Sequence, residues 1–327
     1  MLGCRPILEN VDPQELMVFR HLGARLPYIN VLRQYEARLT KVELQSRINI
    51  AMSRAAATAS RRLIDPLAPL TWEFAGFSQH GEDGILDYLC DHILEPNRFF
   101  FEIGAADGIQ NNTAWLAFAR GYGGVWVDGD PALCAHARLA IEGMMWNVFV
   151  IDSFVDLESV AILLMMCPHR QPDVFSLDID GIDFHIAQRV LELSVRPKIW
   201  VVEYNSVFGP ERAVSVPYAR DFNRWSSDPS GLYYGCSVNG WRRLFSSQGY
   251  TFVTVESSGC NAFFIDPTAF PPDFARELRG EVFRDNDGDL NGATRPIRDT
   301  DGHNVLPLRD WRKQYPRIRM LPMVEIE

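Results

Sequence analysis

A chain of 327 residues with 47% apolar and 23% charged side chains can bury a large core and has the make-up of a soluble globular protein. Its net charge of −10 excludes the broad basic surface that non-specific nucleic-acid binding needs. Six scattered cysteines (Cys4, Cys90, Cys134, Cys167, Cys236, Cys260) with no CxxC pair argue against zinc or a redox dithiol, and no apolar run approaches a membrane span.

The N-terminus lacks a secretory pattern, so the expected setting is cytoplasmic, with reduced buried thiols and neither nucleic-acid nor membrane partners. Charge is uneven: residues 1–70 carry ten Lys/Arg against six Asp/Glu, a bias that fits a solvated helix face. Residues 12–63 read as helices, with Val31, Leu32, Tyr35, Leu39, Val42 and Leu44 at near-helical spacing and an Ala-rich stretch at 51–59. Asp65-Pro66-Leu67-Ala68-Pro69 ends them, because proline removes a donor and restricts its predecessor. The first domain is therefore 1–70, a helical cap or an element for homo-oligomer formation.

From 83 to 265 helices and strands alternate. Helices are predicted near 83–94, 111–120, 131–143, 156–167, 183–194 and 237–248. Strands are predicted at 99–103, 125–127, 148–151, 174–179, 199–202, 251–255 and 262–265. Apolar strands between helices indicate a parallel sheet covered on both faces. The last two strands are separated only by a short segment containing Ser257-Ser258-Gly259 and form an antiparallel hairpin. The fold class is α/β: a seven-stranded, doubly wound, mostly parallel sheet with a terminal antiparallel hairpin and an N-terminal helical region. Leu163-Leu164-Met165-Met166 reads as core packing. This domain covers 71–266, and 267–327 is a loop-rich extension. Within that extension Asp287-Gly288-Asp289-Leu290-Asn291-Gly292 opens like a calcium loop, but Arg298 stands where the bidentate glutamate belongs, so an Asp/Gly turn is expected.

The run Phe99-Phe100-Phe101-Glu102-Ile103-Gly104-Ala105-Ala106-Asp107-Gly108 is an apolar strand that ends in an acid and breaks into a glycine-bearing turn. Such turns bring backbone N–H groups close to a polar or anionic ligand. Val125-Trp126-Val127 then ends in Asp128, about where an acid that binds a ribose is expected. Gly104, Ala106 and Gly108 give a looser spacing than the three-glycine dinucleotide fingerprint, and Asn111-Asn112-Thr113 follow instead of an immediate helix. A nucleotide-type cofactor with an amino-acid moiety suits those side chains, and NAD remains the competitor.

The strand plan, together with Ser78-Gln79-His80-Gly81-Glu82-Asp83-Gly84, the 101–108 turn, Val127-Asp128-Gly129-Asp130-Pro131, Ser176-Leu177-Asp178-Ile179-Asp180-Gly181, Val202-Glu203-Tyr204-Asn205 and Tyr233-Tyr234-Gly235-Cys236-Ser237 leading to Asn261-Ala262-Phe263-Phe264, resembles the FkbM-like branch of the S-adenosylmethionine-dependent methyltransferases. The resemblance covers roughly 72–265. It implies that Glu102, Gly104, Ala106 and Gly108 shape the turn under the methionine part of the cofactor. It places Asp128 on the ribose and Asp152 near the adenine amino group. Gln79, Glu82 and Asn112 would hold the methionine ammonium and carboxylate, with Asp178 beside them.

Asp178 and Asp180 alternate along the predicted fourth strand, which puts both on one side of the sheet, and Glu203 and Asn205 end the fifth. Neighbouring buried carboxylates need a proton, a basic neighbour or a cation. Asp180, Glu203 and Asn205 form an oxygen-rich set that suits Mg²⁺ or another hard divalent ion, as in metal-assisted O-methyltransferases, to which the arrangement is similar. Without a metal, Asp180 or His185 is the candidate general base. The irregular stretch 204–236, with Tyr218, Phe222, Trp225, Tyr233 and Tyr234, is the place for a lid or an element that selects the acceptor. The expected activity is O-methylation of a small-molecule hydroxyl. An NAD-type oxidoreductase and a non-catalytic cofactor-binding scaffold are the alternatives.

Overall fold

The computed structural model describes residues 27–145, 147–286, 297–298, 304–305 and 310–327; Cys4, the predicted helix over 12–26 and the Asp287–Gly292 run lie outside the described residues. Chain contacts divide it into two compact units, 1–47 and 48–327. A 33-residue helix, α1 (Pro27–Ala59), begins in the first and ends in the second. No described helix is long and apolar enough to cross a membrane.

The second unit is built on one sheet. In chain order come α2 (Glu82–Asp91), β1 (Phe99–Ile103), α3 (Ala114–Phe118), β2 (Gly123–Asp128), α4 (Pro131–Ile141), β3 (Val148–Asp152), α5 (Ser159–Leu163), β4 (Val174–Leu177), α6 (Asp183–Glu192) and β5 (Ile199–Glu203). After β6 (Val214–Ser215) and α7 (Arg224–Ser227) follow α8 (Val238–Ser247), β7 (Thr251–Val255) and β8 (Asn261–Ile265). The strand order is β3-β2-β1-β4-β5-β8-β7. β1 to β5 are parallel, while β8 runs antiparallel to both β5 and β7. The predicted α/β sheet and its reversed hairpin are therefore present.

Side-chain alternation sorts the strand residues onto two cores. Phe101, Ile103, Val127, Phe175, Leu177, Trp200 and Val202 meet α5, α6 and α8 on one face. Phe100, Trp126, Val174, Ile199 and Val201 meet α2, α3 and α4 on the other. Because both faces are covered, the strands carry apolar side chains on both sides, which is why they read as nearly unbroken apolar runs.

The Leu163–Met166 segment divides: both leucines are buried, whereas Met165 and Met166 are exposed. The loop-rich extension contains ordered structure as well, namely α9 (Trp311–Ile318) and β11 (Val324–Glu325), the latter paired with β6. A further short pair, β9 (Ile297–Arg298) with β10 (Asn304–Val305), precedes α9. Cys90, Cys134 and Cys236 are free and buried, and Cys167 and Cys260 are free and half-buried.

Chain order reverses between β1 and β4, the point at which open α/β sheets bind ligands beyond their strand ends. There the turn after β1 lies against the turn after β4. Gly104 makes this contact possible: its φ is +86°, and a Cβ placed on it would sit 1.6 Å from the Asp178 carbonyl oxygen.

Candidate active site

Two adjoining hollows open at this strand-end edge. The larger, about 400 Å³, lies over the ends of β1, β2 and β4 and includes Ala106, Asp128, Phe154, Asp180 and Phe222 in its walls. The smaller, about 110 Å³, is polar and is walled by Glu82, Glu102, Asn111, Asn112, Glu203 and Asn261 among others. Gln79, Gly104, Gln110 and Asp178 line both.

Asp128 anchors the larger hollow. Its Oδ2 accepts the Ala106 N–H (2.7 Å) and its Oδ1 accepts the Asp130 N–H (2.8 Å), so the carboxylate is fixed in place. Each oxygen keeps a second lone pair for a ligand hydroxyl. Ala106 holds a left-handed conformation, φ +46°, to make this bond. Asp152 pairs in register with Asp128 but is exposed, and the wall beside it is formed by Ser153, Phe154 and Val155. Phe154 offers an exposed aromatic face there, which the sequence reading missed. Gly108 has φ +72° and abuts the Trp126 ring, 2.9 Å from a would-be Cβ; its role is packing beneath the turn, away from either hollow.

Several expected ligand groups also hold the loops. Glu102 is buried and accepts the N–H groups of Asn112 (3.0 Å) and Thr113 (3.2 Å) and the hydroxyls of Thr113 and Ser176. Burial pushes its carboxyl up to about 7. Asn112 donates its amide to Ser176 Oγ (3.0 Å). Asp83, in the Ser78–Gly84 motif, accepts the N–H groups of Gly76 and Phe77 (both 2.7 Å) and of Ser78, and so fixes the loop that presents the exposed Gln79. Glu82 takes Asn261 Nδ2 (2.9 Å) and the His80 N–H (3.0 Å).

β4 stops at Leu177, so the expectation that Asp178 and Asp180 alternate along a strand does not hold. They belong to a tight turn in which Asp180 has φ +54° and Asp183 accepts the N–H groups of Ile179 (2.8 Å) and Gly181 (2.9 Å). That turn still brings the carboxylates together: oxygens of Asp178, Asp180 and Glu203 lie within 4.8 Å of one another. Burial first, and then repulsion, from Asp180 and Asp183 on Asp178 and from Asp178 and Asp180 on Glu203, lifts both carboxyls well above the usual range. Arg224 of α7 supplies an opposing charge. It pairs with Asp180, donates through Nε to the Gly231 carbonyl (2.6 Å) and stands 3.7 Å over the Tyr234 ring.

Asn205 is not part of this acid cluster. Its Nδ2 donates to the carbonyls of Leu232 (2.8 Å) and Tyr234 (2.9 Å), and its Oδ1 accepts the Val207 N–H (3.0 Å). It ties the 204–236 segment together and lines neither hollow. His185 is likewise an anchor: its Nε2 donates to the Val216 carbonyl (2.9 Å), which fixes the proton on that nitrogen, and burial lowers its pKa. Of the five aromatics singled out in the segment only Phe222 lines the cleft; Tyr233 and Tyr234 are buried, Tyr218 meets His185 edge-on, and the Trp225 ring covers Gly231. Arg220 of the same segment reaches Asp156 (2.7 Å), close to the Ser153–Val155 wall.

The small hollow has an unusual feature. Asn111 Oδ1, Glu203 Oε2 and Asn261 Oδ1 are buried with no hydrogen-bond partner. The amide orientations are set, because Asn111 Nδ2 donates to the Ala105 carbonyl (3.2 Å) and Asn261 Nδ2 to Glu82. Buried acceptors normally find a donor. The side chains that carry these three all line the 110 Å³ hollow, and what the acceptors lack is an N–H or O–H donor.

No family model and no curated protein matches the chain. Solved structures with similarity include the O-methyltransferase from Bacillus cereus in complex with SAH (19% identity, 67% of this chain and 89% of that one, TM-score 0.39). Others are the CurJ carbon methyltransferase (12%, 79% and 72%, TM-score 0.38) and a SAM-dependent methyltransferase from Aquifex aeolicus (12%, 56% and 88%, TM-score 0.34). At these scores the likeness carries no weight for function, which has to be read from the site.

Proposed function

We propose that the chain is an S-adenosylmethionine-dependent methyltransferase of the class I, FkbM-like type, acting on a hydroxyl of a small-molecule acceptor such as a sugar or a secondary metabolite. The observation that carries the reading is the pair of adjoining hollows: a cleft with a fixed carboxylate for a vicinal diol, and beside it a hole lined by three side chains with unpartnered buried acceptors. A cofactor with a ribose at one end and an ammonium at the other satisfies both. The ammonium brings three donors to Asn111, Glu203 and Asn261. Phe154 and Val155 offer an apolar wall for the adenine.

An NAD-type reading fits less well. A pyrophosphate rests on a helix that begins at once after the glycine turn, whereas α3 begins only at Ala114. When bound, the cofactor supplies an activated methyl group on a sulfonium. The chain's residues have the remaining work. They align the acceptor oxygen, and the Asp178–Glu203 pair takes its proton as the O–CH₃ bond forms and the S–CH₃ bond breaks. Burial and the neighbouring carboxylates make both members hold protons more tightly than ordinary carboxylates, and only an ionised member acts as base.

The acid cluster also fits a hard divalent ion, since Asp178, Asp180 and Glu203 present only oxygen donors, within 4.8 Å of one another. Such an ion would bring Lewis-acid polarisation of the acceptor oxygen. Arg224 already pairs with Asp180 and competes with a metal there.

Calorimetric titration with S-adenosylhomocysteine and with NAD tests the proposal. One site for the first and none for the second is the expected result, and the reverse overturns it. Methyl consumption with a competent acceptor separates an enzyme from a binding scaffold, and its loss in EDTA with recovery in Mg²⁺ assigns the metal.

A further inference from the structure

Along residues 31–42 of α1 the apolar side chains are on the outside. Leu32, Tyr35, Leu39 and Val42 are between 50% and 69% exposed, a large apolar stripe for a helix in water. Their spacing alternates three and four, the repeat that marks a coiled-coil seam rather than the broader face of a helix on a globular core. With Leu32 and Leu39 at position a, Tyr35 and Val42 fall at d. Further along, the seam turns polar at Ser46 and Asn49, and the buried side chains Ile48, Ala51 and Ala55 take positions c and f. The helix thus changes face: c and f serve its own domain, and a and d are left for something else.

We infer that the a/d seam at 32–42 pairs with the same seam of a second copy as a parallel, in-register two-stranded coiled coil. Charge decides the occupant and its direction. Arg38 falls at g and Glu43 at e, and both are exposed. In a parallel pair each g residue faces the e residue five positions on in the partner helix, so Arg38 meets Glu43 twice across the two-fold axis. An antiparallel pair sets e against e and g against g, which brings Glu36 and Glu43 onto like charge. A helix built to receive an unrelated partner has no reason to complement itself.

Sedimentation equilibrium of the full chain tests this, with circular dichroism confirming that each variant folds. The wild type is expected to be a dimer and L39E a monomer. R38E and E43R should each weaken the dimer by on the order of tenfold, because each places two like-charge contacts across the axis. The double variant R38E/E43R should recover wild-type association. Tyr35→Cys should form a covalent dimer under mild oxidation, since in-register d positions face each other. A monomeric wild type overturns the inference. So does an L39E variant that stays dimeric, or a double variant weaker than either single one.

Discussion

Replacing Asp128 by asparagine tests the ribose assignment most sharply, because shape is kept while one acceptor becomes a donor. In the structure both carboxylate oxygens already accept a backbone N–H, from Ala106 at 2.7 Å and from Asp130 at 2.8 Å. An amide can satisfy only one of them; its NH₂ must face the other N–H. One backbone bond to a half-buried carboxylate is lost, at about 1–2 kcal/mol of stability. One of two charge-assisted bonds to the ribose goes as well, worth roughly 1.5–3 kcal/mol, so affinity for S-adenosylhomocysteine should drop roughly tenfold to a hundredfold. Asp128→Ala loses both ribose bonds and should bind weaker still. Calorimetry gives the affinity and urea unfolding the stability. Affinity for D128N within threefold of wild type, with stability unchanged, would refute the assignment.

Gly104→Ala should destabilise the fold by more than about 3 kcal/mol in guanidinium unfolding, since both a positive φ and a backbone oxygen 1.6 Å away oppose a methyl group; a loss under 1 kcal/mol would contradict that. Glu203→Gln should cut methyl transfer by about a hundredfold or more, and because it also removes a charge-assisted bond to the ammonium the cofactor should bind roughly tenfold weaker. The acid limb of kcat/KM should lie above the ordinary carboxylate range, because Asp178 and Glu203 hold protons more tightly than usual, and Arg224→Met should move it higher by removing a charge that lowers both. Glu102 titrates near 7 when folded against 4.5 unfolded, so between these values the folded state holds the extra proton. Its contribution is therefore most favourable below pH 4.5 and declines as pH rises to 7. The stability of wild type minus that of E102Q should fall by on the order of 3 kcal/mol over that window, and a flat or rising difference would count against it.

What could be read before folding follows from what each signal depends on. Strands 99–103, 199–202 and 262–265 were legible because they are buried on both faces, and burial is written as unbroken apolar sequence. The Gly104 turn and Asp128 were legible because one backbone conformation and one lone-pair geometry demand those residue types. Asp178 and Asp180 were expected together for the wrong reason: Asp183, whose two backbone bonds hold the turn, breaks the strand pattern, and no local rule announces that. Arg224, Phe154 and the unpartnered oxygens of Asn111 and Asn261 depend on segments far apart in the chain. Asn205 and His185 have the right chemistry for a ligand and a base, yet the fold uses both to fasten the 204–236 segment.

The structure of the complex with S-adenosylhomocysteine is the most direct test of the central claim. The ribose should lie on Asp128, and the ammonium should come within hydrogen-bonding distance of Asn111 Oδ1, Glu203 Oε2 and Asn261 Oδ1. A complex with the amino-acid end elsewhere, leaving the small hollow to water, would contradict it.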